Sequence, residues 1–459
     1  MLDMLIKNAR AVTFDSIQMM DIGIRDGKYV GFYECGSSPE ADTVIDAEGK
    51  YVFPGIIDCH AHFEDPGWTY REDFATGTKA AAAGGLTTII DMPLDNDPAP
   101  VDPSGLEAKK AIIADKAYVD YGLYGAVCGY NKDDLVPLTK QGIACFKGFI
   151  RPRSSMTVGP FNGVESGEVR DALYALKGSG GVCCFHCEDD PMVTYDMKRL
   201  KENGTGTYQD FLDAHTVLSE VLSVMQAVEI ARDTGGKLHI CHVSHPKVAE
   251  VVKKAIQDGV DVSAETCPHY LGFSEDIFEE KGILAKGTPP IRDREAMEKL
   301  WDYVLDGTLS CIGSDHSPAA IEEKDPEKTT IWTAWGGMNS IQVFVARMFD
   351  LAVSKRGLSP ELIARTMCYE PARRFGLYGK KGDFKIGFDG DIVIIDPEKE
   401  WTCSNDELYT MHHNSVYDGI SGKGAPVVTI VRGKVVAQDG EVIGEQGYGN
   451  FIFSDGTAK

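Results

Sequence analysis

From about Tyr51 onward, short β-branched and apolar runs alternate with longer stretches of helical period, and the alternation repeats about eight times. The runs are YVFPGIID, LTTIIDM, VDYGLYGAV, GIACFKGFI, GVCCFHCE, KLHICHVS, DVSAETCP and SCIGSDHS. Between them lie stretches such as VLSEVLSVMQAVEIARDTGG, PKVAEVVKKAIQDG and REAMEKLWDYVLDG, several closing on glycine as helix C-termini do. Parallel strands joined by helices follow from such a pattern, and eight repeats predict a (β/α)₈ barrel.

The two ends of the chain read differently. LIKNARAVTF and DIGIRDGKYVGFYE at the start, and GDFKIGFDGDIVIID and PVVTIVRGKVVAQDG near the finish, are short alternating strands broken by DG and GK turns. Neither set is large enough to bury a core alone. The expectation is one small β-sandwich built from residues 1–51 and 379–459, beside a barrel spanning 52–378.

Composition narrows the partners. A net charge of −24 counts against nucleic acid and anionic membranes, which would be approached against repulsion. No stretch approaches the roughly 20 apolar residues of a membrane span, and a cytoplasmic location is expected. The twelve cysteines sit mostly within apolar runs, as reduced, buried thiols do. Cys184 and Cys187 form a CxxC, but no second pair completes a zinc site.

Chemistry concentrates at the strand ends. In DCHAHFEDPG, His60 and His62 stand two apart and so share a strand face, at the barrel end where such enzymes keep their reactive groups. FKGF puts Lys147 in the fourth strand, CFHCED puts His186 at the end of the fifth, CHVSH puts His242 at the end of the sixth, and GSDHSP puts Asp315 at the end of the eighth. Four imidazoles, a carboxylate and a lysine at corresponding positions point to metal. Burial disfavours a charged lysine, and a neutral amine can add carbon dioxide to give a carbamate whose two oxygens bridge two cations.

These residues resemble the cyclic amidohydrolases, the group of dihydroorotases, hydantoinases, dihydropyrimidinases and allantoinases. The resemblance spans essentially the whole chain. It implies His60, His62 and Asp315 on one divalent ion, His186 and His242 on the other, and carboxylated Lys147 between them. Zinc is the first expectation for both ions, and manganese, cobalt or iron suit the same donors. It also implies a hydroxide bridging metals about 3.5–4 Å apart that attacks a ring carbonyl, with Asp315 relaying its proton to the leaving nitrogen. Thr288, Trp335 and Gly336 would orient the cyclic imide edge. A homotetramer or homodimer acting on a small cyclic ureide is expected.

The ring is read from departures. Dihydroorotases usually carry Arg, Asn and His where this chain has Glu64, Thr288 and Ala319, and hydantoinases usually carry Tyr where it has Pro152. MPLDNDPAPVD, ETCPHY and WTAWGGMNSIQ look like allantoinases, which hydrolyse allantoin to allantoate. Asp95 and Glu64 depart from that pattern and are read as carboxylates facing the pocket, which either accept ureido N–H groups or mark a different hydantoin with a basic or hydrogen-bond-donating arm. A D-hydantoinase or dihydropyrimidinase-type enzyme, then a dihydroorotase, are the alternatives, with a metal-free scaffold relative or a one-metal deaminase behind them. His269 and His316 read as orienting or structural groups, and His215, His239 and His245 as helix, core or cap residues. His412 and His413 receive no role. The loop from Ala319 to Ile331 is either a lid or solvated surface, the second favoured.

Overall fold

The computed structural model describes residues 1–152 and 161–454, with the strand backbone at 157–158. The last five residues of the expected C-terminal part of the sandwich lie outside the described residues.

Eight strands, Ile57–Ala61, Thr88–Asp91, Asp120–Leu123, Cys145–Phe149, Val182–His186, Lys237–Ile240, Val262–Thr266 and Leu309–Ile312, run parallel and pair in chain order. The two-residue strand Gly125–Ala126 carries the line of the third onto the fourth. A parallel bridge from Ala61 to His316 brings the first strand against the segment after the eighth and closes the barrel.

Both strand faces are buried, which explains why the runs read as continuously apolar. Within Val182–His186, Val182 and Cys184 join a cluster inside the barrel with Cys59, Cys145 and Cys311, while Cys183 and Phe185 pack outward among helix residues such as Leu173 and Val224. The helices carry the capping that the sequence signals. Asp73, Asp102, Asp189 and Asp293 each accept a hydrogen bond from the backbone N–H three residues on, a contact worth about 1 kcal/mol. Gly235, with φ of 67°, ends the helix Val217–Thr234 in the left-handed conformation that glycine adopts most readily. Among the described residues, no helix is long and apolar enough to cross a membrane.

Both chain ends combine into the expected small sandwich, its strands linked edge to edge in a nine-stranded sheet. Leu2–Val12 pairs on one edge with Ala41–Asp46 through its first half and with Tyr51–Pro54 through its second, and its register against Ile17–Arg25 on the other edge shifts between Ile6 and Ala9. Ile6, Ile22, Ile24, Val52, Ile392 and Ile430 form the shared core.

A buried ion network fastens this sheet to the barrel. The Lys381 amine lies 2.6 Å from Asp120, at the start of the third barrel strand, 2.6 Å from Asp391 and 3.0 Å from Asp389. Arg432 adds a contact of 3.1 Å to Asp120. Burial opposes the Lys381 charge, but the three carboxylates outweigh it and hold the ammonium above its ordinary pKa. Removing one member of such a set strands buried charge. Lys381→Met is therefore expected to cost about 3–5 kcal/mol, measured by urea unfolding. A midpoint unchanged from the parent would show that the network fastens nothing.

Candidate metal centre and substrate cavity

Parallel strands deliver their ends to one rim, and at that rim lies a cavity of about 320 Å³. His60, His62, Lys147, His186, His242 and Asp315 all line it, together with Asp95, Thr288, Trp335 and Gly336. Residues as far apart in sequence as His60 and Gly336 thus share one space.

The histidines reach it by departures from regular strand geometry. Simple alternation would put Cys59 and His60 on opposite faces. Both contact Glu265, however, the Cys59 sulfur at 3.3 Å and His60 through Nδ1. A register shift between Asp58 and Ala61 makes this possible, since a bulge re-aims the side chains beside it. Asp58 ties the bulge to the eighth strand's end, accepting from the backbone N–H of His60 at 3.1 Å and of Ser314 at 2.9 Å. His242 and Asp315 have φ of 38° and 46°, and Glu64 and Asp95 have 55° and 57°. Such values are uncommon outside glycine, and three of the four, at His242, Asp315 and Asp95, belong to residues lining one cavity, where strained backbone commonly marks function.

Two groupings of donor atoms result. The His60 Nε2 and His62 Nε2 atoms lie 3.2 and 3.8 Å from an oxygen of Asp315, and these three residues can present ligand atoms within 4.8 Å of one another. On the other side, His186 Nδ1 and His242 Nε2 face each other at 3.1 Å. His60 Nε2, His62 Nδ1 and His242 Nδ1 are buried without hydrogen-bond partners. Buried polar atoms rarely go unsatisfied, so a donor set of this kind fits divalent cations. Burial holds His62, His186 and His242 below the ordinary imidazole pKa, in the neutral form that coordinates metal. In His60 burial is outweighed by Glu265 and Asp315, which push it up to about 10, and a cation facing Nε2 would take that proton's place.

Lys147 is fully enclosed between these groupings. The sequence reading expects burial to strip its proton. Burial does act in that direction, but the Cys241 sulfur, Asp315 and Glu265 outweigh it and raise the pKa above the ordinary lysine value. The sign is set by the anions around the amine, which sequence alone does not locate.

Two carboxylates absent from the sequence-based candidates organise the imidazoles from behind. Glu265 holds His60 Nδ1, the His239 ring at 3.2 Å and the His242 backbone N–H at 3.4 Å. Glu188 holds His186 Nε2 at 2.9 Å and His215 Nδ1 at 2.8 Å. Contacts of this kind fix which ring nitrogen is free to coordinate. A signal for Glu265 was present, because a glutamate inside the otherwise uncharged run VSAET must find a buried partner. His316 accepts from the Ser340 backbone at 3.1 Å and pins two loops, and His245 caps the helix Pro246–Gln257. His269 is buried with an unpartnered Nδ1 and groups with Cys267 and Asp315.

The outer wall holds a feature that the sequence reading missed. Arg71 is buried with its guanidinium 3.6 Å from the Trp335 ring centroid and 4.5 Å from that of Trp68. It contacts Asp95 at 3.0 Å, Glu323 at 2.6 Å and Glu64 at 3.7 Å. Asp95 lines the cavity and has one buried oxygen without a hydrogen-bond partner, whereas Glu64 lies behind it beside Arg71 and does not line the cavity. The loop from Ala319 to Ile331 is correspondingly more than solvated surface. Glu323 grips Arg71 twice, Lys324 is enclosed and Ile331 is buried, while residues 326–328 face solvent.

Known proteins match along nearly the whole chain. The profile of the Amidohydrolase family matches residues 51–436. Allantoinases from Escherichia coli O1:K1 / APEC and from Salmonella choleraesuis (strain SC-B67) are each 35% identical over 435 residues, covering 95% of this chain and 95% of theirs. The solved L-hydantoinase (dihydropyrimidinase) from Arthrobacter aurescens superposes with a TM-score of 0.95 at 32% identity, over 99% of this chain and 100% of that one. A dihydropyrimidinase from Brevibacillus agri NCHU1002 gives 0.90 at 26% identity, over 99% of both chains. With its rim of convergent imidazoles inside a barrel of this kind, the chain belongs to the amidohydrolase family and is a hydrolase of cyclic amide C–N bonds.

Proposed function

We propose that this chain opens the hydantoin ring of allantoin to give allantoate, and the observation that carries the reading is its 35% identity to allantoinases over 95% of its length. The departures from relatives support it. Pro152 stands where a hydantoinase tyrosine is expected, and Glu64 removes the cation that a dihydroorotate carboxylate would need.

Members of the family generally bind divalent metals. His60, His62 and Asp315 would hold one ion, and His186 and His242 the other, zinc being the first choice for both. Bound there, the pair would polarise the ring carbonyl and acidify a water. With cations beside it, the Lys147 ammonium would be opposed by like charge; the neutral amine so favoured could add carbon dioxide with loss of a proton, giving a carbamate whose two oxygens would serve as metal ligands. Asp315, at the cavity wall, would take the water's proton and deliver it to the leaving amide nitrogen. Water thereby adds across the C–N bond, leaving a ureido acid. Thr288, Trp335 and Gly336 orient the imide edge. The assembly that fits this reading is a homotetramer or homodimer.

A second reading, a hydantoinase or dihydropyrimidinase-type enzyme, is favoured by the apolar side of the cavity, where Trp68, Leu94, Phe149, Met197 and Phe211 suit an apolar substituent. Turnover of allantoin, hydantoin, dihydrouracil and dihydroorotate by metal-loaded protein with bicarbonate separates the two. The highest kcat/KM is expected on allantoin, and a maximum on dihydrouracil moves the chain to the second reading. Lys147→Ala is expected to abolish turnover and to regain part of it with a short carboxylic acid, while full activity in that variant removes the bridge. Glu265→Gln loosens the His60 ring, and metal retained after dialysis against chelator should show about 10–100-fold weaker binding. Parent-like retention would mean that Glu265 does not orient the ligand.

A further inference from the structure

We propose that Lys286 is a substrate-positioning residue, donating to the acyl oxygen of the substituent on the hydantoin ring while the free oxygen of Asp95 accepts that substituent's N–H groups. The pair would then select a ring bearing a ureido arm. The assignment rests on the hydantoin-opening reading above and deepens it.

Lys286 is 6% exposed and lines the same cavity as the imidazoles. Its amine donates to the Ala334 carbonyl at 2.6 Å and lies 5.2 Å from the Phe211 ring centroid. An ammonium has three donors, and Ala334 occupies one. Among the described residues no carboxylate pairs with it. Burial, together with the charge of Lys201, brings its pKa down to about 8, so the amine remains largely protonated near neutrality. The strand of chain bearing it is held by a second enclosed lysine. Lys324 donates to the Ile283, Leu284 and Lys286 carbonyls at 3.1, 3.4 and 2.9 Å. Two buried amines without a counter-ion are expensive to retain. At a cavity wall, an acceptor on the ligand can complete the first of them.

The complementary group is Asp95, which is 1% exposed. Its Oδ2 takes a hydrogen bond from Arg71 at 3.0 Å, and its Oδ1 has no partner. Arg71 lies over the Trp335 ring, and the neighbouring residue, Ala334, is the carbonyl that holds Lys286. One short segment therefore joins the donor and the acceptor. A ureido group offers one carbonyl oxygen and several N–H donors and satisfies both. An alkyl or benzyl arm satisfies neither, and a carboxylate arm would meet Lys286 but also face Asp95.

The test compares full-length, metal-loaded wild type with Lys286→Met on allantoin, unsubstituted hydantoin, 5-benzylhydantoin and hydantoin-5-acetate. The expected result is a fall of at least about 30-fold in the ratio of kcat/KM for allantoin to that for hydantoin, carried mainly by KM, with equal metal content. Lys286→Arg, which keeps a donor, should recover part of the ratio and guards against loss through misfolding. An equal fall on both rings, or an unchanged ratio in an active enzyme, overturns this assignment alone. Preference of the wild type for hydantoin-5-acetate, lost in Lys286→Met, overturns it in favour of an anionic arm. A wild type that opens none of these rings removes both the assignment and the reading beneath it.

Discussion

Closing eight parallel strands into a ring buries both faces of each strand, so a polar side chain within a strand must find its partner inside the protein or destabilise the fold. Glu265 meets that demand by taking His60, His239, the Cys59 sulfur and the His242 backbone at once. The first, sixth and seventh strands are thereby coupled at one carboxylate. Because that carboxylate holds Nδ1 of His60, the Nε2 atom is left facing Asp315. Packing and chemistry are consequently not separable here: the contact that makes a buried glutamate tolerable also presents an unsatisfied nitrogen to the cavity.

The outer half of the cavity follows a different economy of charge. Arg71 is surrounded by three carboxylates and faces two tryptophan rings, so its cation is used within the wall. Lys286 and Lys324 have main-chain carbonyls instead of carboxylates. Over-neutralised arginine and under-neutralised lysine occupy connected segments, and the contrast separates a group that shapes the wall from one left to meet a ligand. The inner rim is suited to the ring common to many cyclic amides, whereas the wall is suited to what hangs from it. The likeness to both allantoinases and hydantoinases is consistent with that division.

The barrel, the joining of the two chain ends and the strand-end residues were legible in the sequence because each rests on a local rule. Strand runs alternate with helical periods, an aspartate opens a helix, and strand ends in parallel order share a rim. His60, His62, Lys147, His186, His242 and Asp315 could be picked out without coordinates because their strands could be counted. Arg71 could not, although WTYRED places it between aromatic residues, since nothing local says that Glu323, 252 positions later, returns to meet it. Glu64 illustrates the same limit from the other side: its charge was visible, its direction was not.

What the sequence by itself determined was therefore the architecture and which side chains stand at the strand ends, because hydrophobic period and side-chain identity are carried residue by residue. What only the tertiary structure decided was which nitrogen faces which partner, whether Lys147 is surrounded by anions, and that Asp95 and Glu64 both meet Arg71 while Asp95 alone of the two lines the cavity. Those are matters of a few ångströms between segments far apart in the chain, and electrostatic energy depends on distance and burial, neither of which a linear order of residues contains.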